Sequence, residues 1–536
     1  VTDPPFSFNL WHAPWIRVVT ADGEVCELSI HACLARAHEL RALHDPSPLV
    51  VAGVHRLLAA ILQAIYQPTD LDALEGILAT GQFDNGLLDA FAAQHAGRFD
   101  LFHPTTPFLQ TGDVPLDGWR KPERGRKNDW GDPKAVSALF NEVPGATNRT
   151  HFHHVTDEGH QVCPACCARG LLTIAAFASS GGPGIRPSIN GVPPIYVLPV
   201  GRSLFEGLTL SLVAADYLPA AADRGRADIA GWNGSEAVAR GRQVSAVGYI
   251  ESLTFPARRM RLYPKAAAGR CTQCDAATSV AVSEMLFEMG HWLNEGVGVW
   301  DDPFAAFREP GGKNKVEGRV PVRPQEGKAL WREYGGLLLA EREEQLRPRV
   351  VRQLGMLVDR DVFDPSQAVQ VRCISIRTDG KAKFFEWLDE ALEAPPALLA
   401  DPVGATYVED ALRWSGEAER EMGFVFDRHF RPKRRLGERI NQKVVRYKML
   451  RARMLATYWE RMAPAFRALT FAMAVPEARD DALRGWADTL VRTGRRVFDE
   501  ASGQVGERAD ALRAQVEAQA HCAAQLSNKQ KEWLHE

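Results

Sequence analysis

The chain has 536 residues and a mass of 59.2 kDa, more than one small module needs, so two domains are the simplest count. Hydrophobic residues make up 45% and charged residues 24% of it, which excludes a disordered, collagenous or coiled-coil chain. With 64 basic against 67 acidic residues the net charge is -3, so no global positive field advertises nucleic acid and any such contact must come from local patches. No uninterrupted apolar run reaches the roughly 18 to 20 residues of a membrane span, and the opening VTDPPFSFNLWHAPW lacks the layout of a secretion signal. A cytoplasmic chain without a membrane partner is expected. Nine cysteines are far too sparse for a disulfide scaffold, and in a reducing compartment closely spaced cysteines bind metal more often than they pair.

In chain order, Trp15, Ile16 and Val18 followed by Val25, Leu28 and Ile30 around Asp22-Gly23 predict a β-hairpin. Ser29 is placed to cap a helix reaching Leu43. Val51, Val54, Leu57, Leu58, Ile61 and Ile65 share one face of a buried helix over Leu49 to Tyr66. Residues from about 100 to 380 mix short strands, such as Ile195 to Leu198 and Val369 to Ile376, with Gly/Pro-rich loops, and read as α+β. Past Asp379-Gly380 long helical segments run to the end, broken at Pro402, Pro432, Pro476 and near Gly503, which predicts four helices. Leu436, Ile440, Val444, Tyr447, Met454 and Tyr458 recur at helical steps in the second of them. The fold class is therefore an α+β N-terminal domain, residues 1–400, with a zinc-stapled loop region, followed by an all-α four-helix bundle, residues 401–536.

The strongest local signal is a pair of knuckles, Cys163-Pro-Ala-Cys166 and Cys271-Thr-Gln-Cys274, each spaced so that two thiolates reach one ion. Four soft ligands suit a structural, tetrahedral Zn²⁺. The 104 residues between the pairs make the ion a staple of distant loops. His151, His153, His154 and His160 crowd upstream and invite a metal-dependent, HNH-like nuclease, but the second cysteine pair is too remote for one compact nuclease unit and no HExxH spacing occurs. The loop Ser179 to Gly184, followed by Arg186 and Asn190-Gly191, has glycines that permit close backbone approach without being a P-loop. Basic residues concentrate at Arg120 to Lys127, at Arg258, Arg259, Arg261 and Lys265, and from Arg428 to Arg453, where eleven Lys/Arg accompany one acid, Glu438. The last run predicts an outward ridge suited to phosphates, or else a merely solvated helix face.

NLWHAPWIRVVTADGEVCELSI at the start, HPTTPFLQTG at 103–112, PGATN at 144–148, then CPAC, SGGPG, NGVPPIYVL and CTQC in that order resemble the CasA family, the large subunits of the type I-E CRISPR surveillance complex Cascade. The resemblance covers essentially the whole chain and lies in the shared order of the motifs. It implies a non-enzymatic antiviral-defence subunit that reads the protospacer-adjacent motif (PAM) of target double-stranded DNA from the minor groove. Such a subunit promotes strand separation and R-loop formation and helps recruit the helicase-nuclease. The implied partners are the guide-RNA-bearing backbone, handle-binding and small subunits.

The same resemblance places the family's glycine loop on Gly181, Gly182, Pro183 and Gly184, and a loop aromatic on Phe152, where it would stack on a base. The family's strand-separating glutamine, beside a short hairpin after a Trp-Asp-Pro region, is matched to Arg352-Gln353. Its minor-groove lysine has no clear equivalent; the position falls near His291, while Lys313 and Lys315 lie in a separate loop. Arg434, Arg435, Arg439, Lys443 and Arg446 would serve the target strand from the bundle. The alternatives are the metal-dependent nuclease and a zinc-containing protein scaffold without DNA contact.

Overall fold

A computed structural model describes residues 6–114, 116, 133–141, 143, 160–180, 184–219, 228, 230–233, 237–294, 299–309, 319–339, 345–378, 384–432, 442–506 and 508–535. It divides into two compact units, one of residues 1–324, 343–354 and 370–391, the other of residues 325–342, 355–369 and 392–536. In place of one cut near residue 400, two earlier segments join the C-terminal helices.

In the first unit, strands β1 (Ile16–Thr20) and β2 (Val25–Leu28) form the predicted hairpin, registered from Ile16 opposite Leu28 to Val19 opposite Val25. Gly23 supplies the left-handed turn residue at φ 85°. The Ser29 side chain caps helix α1 (Ile30–Ala35) by accepting from the Ala32 amide at 3.1 Å. The helix ends there and does not continue to Leu43. Residues Leu40–Leu43 instead form strand β3, which pairs with the free edge of β1, Val18 opposite Leu43. Leu40 and Leu43 satisfy helical spacing and strand pairing alike, and tertiary pairing decided between them.

Helix α2 (Pro48–Tyr66) is buried almost all round, from Pro48 through Gln63. By hydropathy it is long and apolar enough to cross a membrane, but 83% of that window is buried inside the unit. His55 and Arg56 interrupt its apolar run, and both are themselves buried. Helices α3 (Leu71–Thr80) and α4 (Asn85–His95) follow, each capped by an aspartate, Asp70 and Asp84. Helix α5 (Pro164–Phe177) crosses α2 at Gly53, where an added Cβ would stand 2.8 Å from the Leu172 carbonyl oxygen. The two predicted strands pair with each other: β4 (Tyr196–Val200) runs antiparallel to β7 (Val369–Thr378), and strand β8 (Phe384–Ala394) lies on the other side of β7. Between them in sequence comes a long antiparallel hairpin, β5 (Arg258–Arg270) with β6 (Ala277–Met289), that sequence periodicity did not reveal.

In the second unit come helices α7 (Pro402–Phe430), α8 (Gln442–Met473), α9 (Arg479–Ser502) and α10 (Ala509–Trp533), interrupted around Pro432, Pro476 and Gly503 as predicted; Leu436 and Ile440, expected in the second helix, lie outside the described residues. The short helix α6 (Arg349–Val358), whose residues through Leu354 belong to the first unit, precedes these helices in the chain. Asp401 caps α7 through the Val403 amide at 2.9 Å, with Pro402 as the first helical residue. The apolar faces meet through aromatics. Trp414 stacks on Trp533 at 5.6 Å between ring centroids, and Trp331 stacks on Phe466 at 4.5 Å. Two buried side chains reach carbonyls across the helices, the Trp486 indole on Ala411 at 3.0 Å and the Tyr458 hydroxyl on Ser415 at 3.1 Å.

Candidate metal centre and nucleic-acid interface

The two cysteine pairs, 108 residues apart from Cys163 to Cys271, meet in space. Cys163 is the N-cap of α5, Pro164 its first residue, and Cys166 lies in its first turn. The second pair forms the tip of the β5–β6 hairpin, where Asp275 at φ 60° reverses the chain and its amide donates to the Cys271 carbonyl at 2.8 Å. Two ties hold tip and helix together: Val162 exchanges both backbone hydrogen bonds with Val282 at 2.9 Å, and the Thr272 amide donates to Gln161 O at 2.8 Å.

The four Sγ atoms lie within 4.8 Å of one another, and Cys163 and Cys274 are 3.8 Å apart. A tetrahedron with metal–sulfur bonds of about 2.3 Å has edges of about 3.8 Å, so the donor set and spacing fit a Zn²⁺-sized ion. The Cys163 amide donates to Cys271 Sγ at 3.2 Å, the support a thiolate ligand needs. Arg169, one turn along α5, puts Nη1 3.5 Å from Cys166 Sγ and donates from Nε to the Trp15 carbonyl at 2.8 Å. Four protein ligands would leave no open position for a substrate. Cys167 stands apart from this cluster, buried beside the Val162 carbonyl.

The other expected site residues are distributed differently. Gly181, Gly182 and Pro183, Phe152, Arg434, Arg435 and Arg439 lie outside the described residues, as do His151, His153, His154, Arg120 to Lys127, Lys313 and Lys315. Gly184 is exposed in the left-handed region at φ 80°, with nothing among the described residues within 4 Å of an added Cβ. His160 is buried at 3% exposure, and the His291 amide donates to the Pro256 carbonyl at 2.8 Å. Arg446 is exposed on α8 and donates to the Gln504 carbonyl at 2.7 Å; Lys443 is part of the same helix. Lys448 and Arg453 are exposed too, whereas Arg451 is engaged with Asp427 at 2.7 Å.

Two expectations are corrected. Arg258, Arg259 and Arg261 do not form a surface patch, because the first half of β5 is buried. Arg259 pairs with Glu288 at 3.1 Å and Asp113 at 3.0 Å, and Arg261 donates to the carbonyls of His103 and Pro104 at 3.1 and 2.9 Å. Only Lys265 of that run is exposed, paired with Glu284 at 3.2 Å.

Gln353 is likewise no strand-separating side chain. It is fully buried on α6, its Oε1 accepting from the Ala214 amide at 3.0 Å and its Nε2 donating to the Leu212 carbonyl at 2.7 Å. Neighbouring Arg352 is exposed, 5.8 Å from the Tyr217 ring centroid. Replacing Gln353 by Ala is expected to cost about 1 to 3 kcal/mol, because two buried backbone groups lose their partner. Urea unfolding checks this, and a midpoint equal to that of the unmutated chain would contradict it. The glutamine that follows Trp300-Asp-Asp-Pro and lies in a short antiparallel pair is Gln345, opposite Arg308.

The family model described as CRISPR-associated protein Cse1 matches residues 9–497. The chain belongs to the Cse1 family. A curated relative, CRISPR-associated protein CasA/Cse1 of Thermus thermophilus, is 35% identical over 213 residues, a stretch that spans 38% of this chain and 39% of that protein. The crystal structure of Cse1 from Acidimicrobium ferrooxidans superposes with a TM-score of 0.76 at 21% identity, covering 99% of this chain and 100% of that one. A chain of a structure described as a CRISPR RNA-guided surveillance complex gives 0.70 at 19% identity, covering 97% and 100%. At these identities the structural likeness speaks for the Cse1 fold. Sequence reasoning missed the β5–β6 hairpin of this Cse1-family chain, whose tip carries the second cysteine pair. Strand-length runs flanking CTQC were the available signal, obscured by the arginines of Arg258 to Arg261.

Proposed function

We propose that this Cse1-family chain is the large subunit of a type I-E, RNA-guided CRISPR interference complex, Cascade. In this reading it recognises the PAM of target double-stranded DNA from the minor groove, promotes strand separation and R-loop formation, and helps recruit the helicase-nuclease. The observation that carries the reading is the family match across residues 9–497. The ordered PGATN, CPAC, SGGPG and CTQC segments support the same reading.

Its partners are then the guide-RNA-bearing subunits, the target duplex and the recruited nuclease, and the chain itself breaks no bonds. The glycine loop approaches the groove, whose degenerate donor and acceptor pattern favours tolerance of several PAM sequences. The wedge role passes from Gln353 to Gln345, and a side chain pressed between base steps costs a few kcal/mol of unstacking that the growing RNA:DNA hybrid must offset. Helices α7 to α10 act as a four-helix bundle whose exposed Arg446, Lys448 and Arg453 add phosphate contacts. The four-cysteine centre holds a structural Zn²⁺ that keeps the hairpin tip on the start of α5.

Gel-shift titration of the complex assembled with and without this chain, on duplexes with randomised PAM positions, tests the reading. The expected result is tight, salt-dependent capture of a subset of PAM sequences only when the chain is present, and roughly tenfold weaker capture on Gln345→Ala, the scale of one lost specific contact. Equal capture without the chain would overturn it. Divalent-ion-dependent cutting of plasmid by the purified chain would point to the nuclease instead.

A further inference from the structure

One buried guanidinium holds both stems of the glycine loop. Arg258, the first residue of β5, is 2% exposed. Its Nη2 donates to the Ser179 carbonyl at 2.7 Å, and its Nη1 donates to the carbonyls of Arg186 and Ala257, each at 2.9 Å. Ser179 precedes the loop and Arg186 follows it, so a single rigid fork fixes the distance between entry and exit. One step further in, the Ser188 amide donates to the Ala178 carbonyl at 2.8 Å. On the outer side the Arg186 guanidinium lies 3.8 Å from the Trp292 ring centroid, and Trp292 is itself anchored by its Nε1 donating to the Gly241 carbonyl at 3.1 Å. The Arg186 amide completes the frame by donating to Met289 Sδ at 3.3 Å.

The arrangement is costly for folding alone. A buried cation needs compensation, and Arg258 is compensated by carbonyl oxygens, with no carboxylate partner among the described residues. Burial lowers its pKa to about 10, which leaves it charged at neutral pH. Its contacts fall on the two ends of the loop, at Ser179 and Arg186.

We propose that Arg258 is a positioning residue for DNA recognition: it fixes the spacing of the glycine loop's two stems, at Ser179 and Arg186, before DNA arrives. The inference rests on the reading that this loop meets duplex DNA. A loop ordered in advance loses less entropy on binding. Its effect falls on discrimination between PAM sequences, since non-specific affinity is set by phosphate contacts elsewhere.

The test measures, for the assembled complex, the ratio of affinities for a PAM-bearing duplex and a scrambled-PAM duplex. Arg258→Gln is compared with Gly182→Val as the loop benchmark and Lys265→Gln as a charge-loss control on the same strand. The expected result is a fall of about tenfold in the ratio for Arg258→Gln and Gly182→Val, on the scale of one specific contact, with scrambled-duplex affinity and the Lys265→Gln ratio unchanged. Hydrogen exchange should quicken at residues 179–186 in Arg258→Gln. An unchanged ratio in Arg258→Gln while Gly182→Val loses selectivity overturns the positioning role and leaves the loop reading standing. An unchanged ratio in both overturns the loop reading and this proposal with it. Equal losses on the two duplexes also overturn it, because they mark a merely structural residue. If Arg258→Gln does not assemble, Arg258→Lys, which keeps the charge but not the two-stemmed fork, carries the same comparison, with a ratio equal to that of the unmutated chain again decisive against the proposal.

Discussion

Stripping the zinc proposed for the four-cysteine centre is expected to destabilise the first unit by at least about 3 kcal/mol, a fraction of the roughly 10 to 16 kcal/mol that structural zinc supplies to isolated fingers. The ligands come from a helix start and a hairpin tip separated by 108 residues from Cys163 to Cys271. Without an ion, the hydrogen bonds from Val162 and Thr272 are left to hold that long closure. Cys163→Ser with Cys271→Ser should act as a strong chelator does, lowering the melting temperature and abolishing a stoichiometry of about one zinc per chain, the complement of a single closed tetrathiolate site. Cys26→Ser, on the half-exposed side of β2, should leave both unchanged. Metal analysis with calorimetry before and after chelation decides the matter. An unaltered melting temperature in the stripped protein would rule out a stabilising staple.

The second large effect belongs to Arg56 and Asp302. Both side chains are 1% exposed, and the guanidinium meets the carboxylate through two hydrogen bonds of 3.1 and 2.8 Å. Asp302 also accepts from the Phe304 amide at 3.0 Å and from Asn190 Nδ2 at 3.1 Å. The Tyr196 hydroxyl lies 2.6 Å from Asn190 Nδ2 and donates to the Ala176 carbonyl at 2.9 Å. One carboxylate thus connects α2, the start of β4, the end of α5 and the segment after Trp300.

Asp302→Ala should cost about 3 to 5 kcal/mol, because it strands a buried charge. Adding Arg56→Met should recover a large part of that loss, since the stranded charge is then gone. A double-mutant cycle in urea measures the coupling. A single-mutant cost below about 1 kcal/mol, the value of an exposed pair, would contradict the network.

The contrast between Arg56 and the arginines of β5 shows where sequence reading stopped. The basic cluster at Arg258 to Lys265 reads as a patch because charge usually seeks water, yet three of its arginines are consumed by carbonyls and carboxylates contributed by other segments. Gln353 presents the same difficulty: nothing local distinguishes a surface glutamine from one whose amide bridges the Leu212 and Ala214 backbone more than a hundred residues earlier. The supposed helix reaching Leu43 was lost to strand pairing with β1.

What local chemistry dictates was legible: the hairpin at Asp22-Gly23, the cap at Ser29, the buried helix from Pro48, the proline and glycine breaks between α7 and α10, and the two cysteine pairs, whose spacing carries their ligand geometry. What only the tertiary structure decided is which polar groups face inward, how the second cysteine pair is delivered by a long hairpin, and that Arg258 joins the Ser179 and Arg186 carbonyls. A backbone turn or helix cap is set by residues within a few positions of one another. Burial of a charge or amide depends on partners the chain supplies from afar, and those partners leave no trace in the sequence around it.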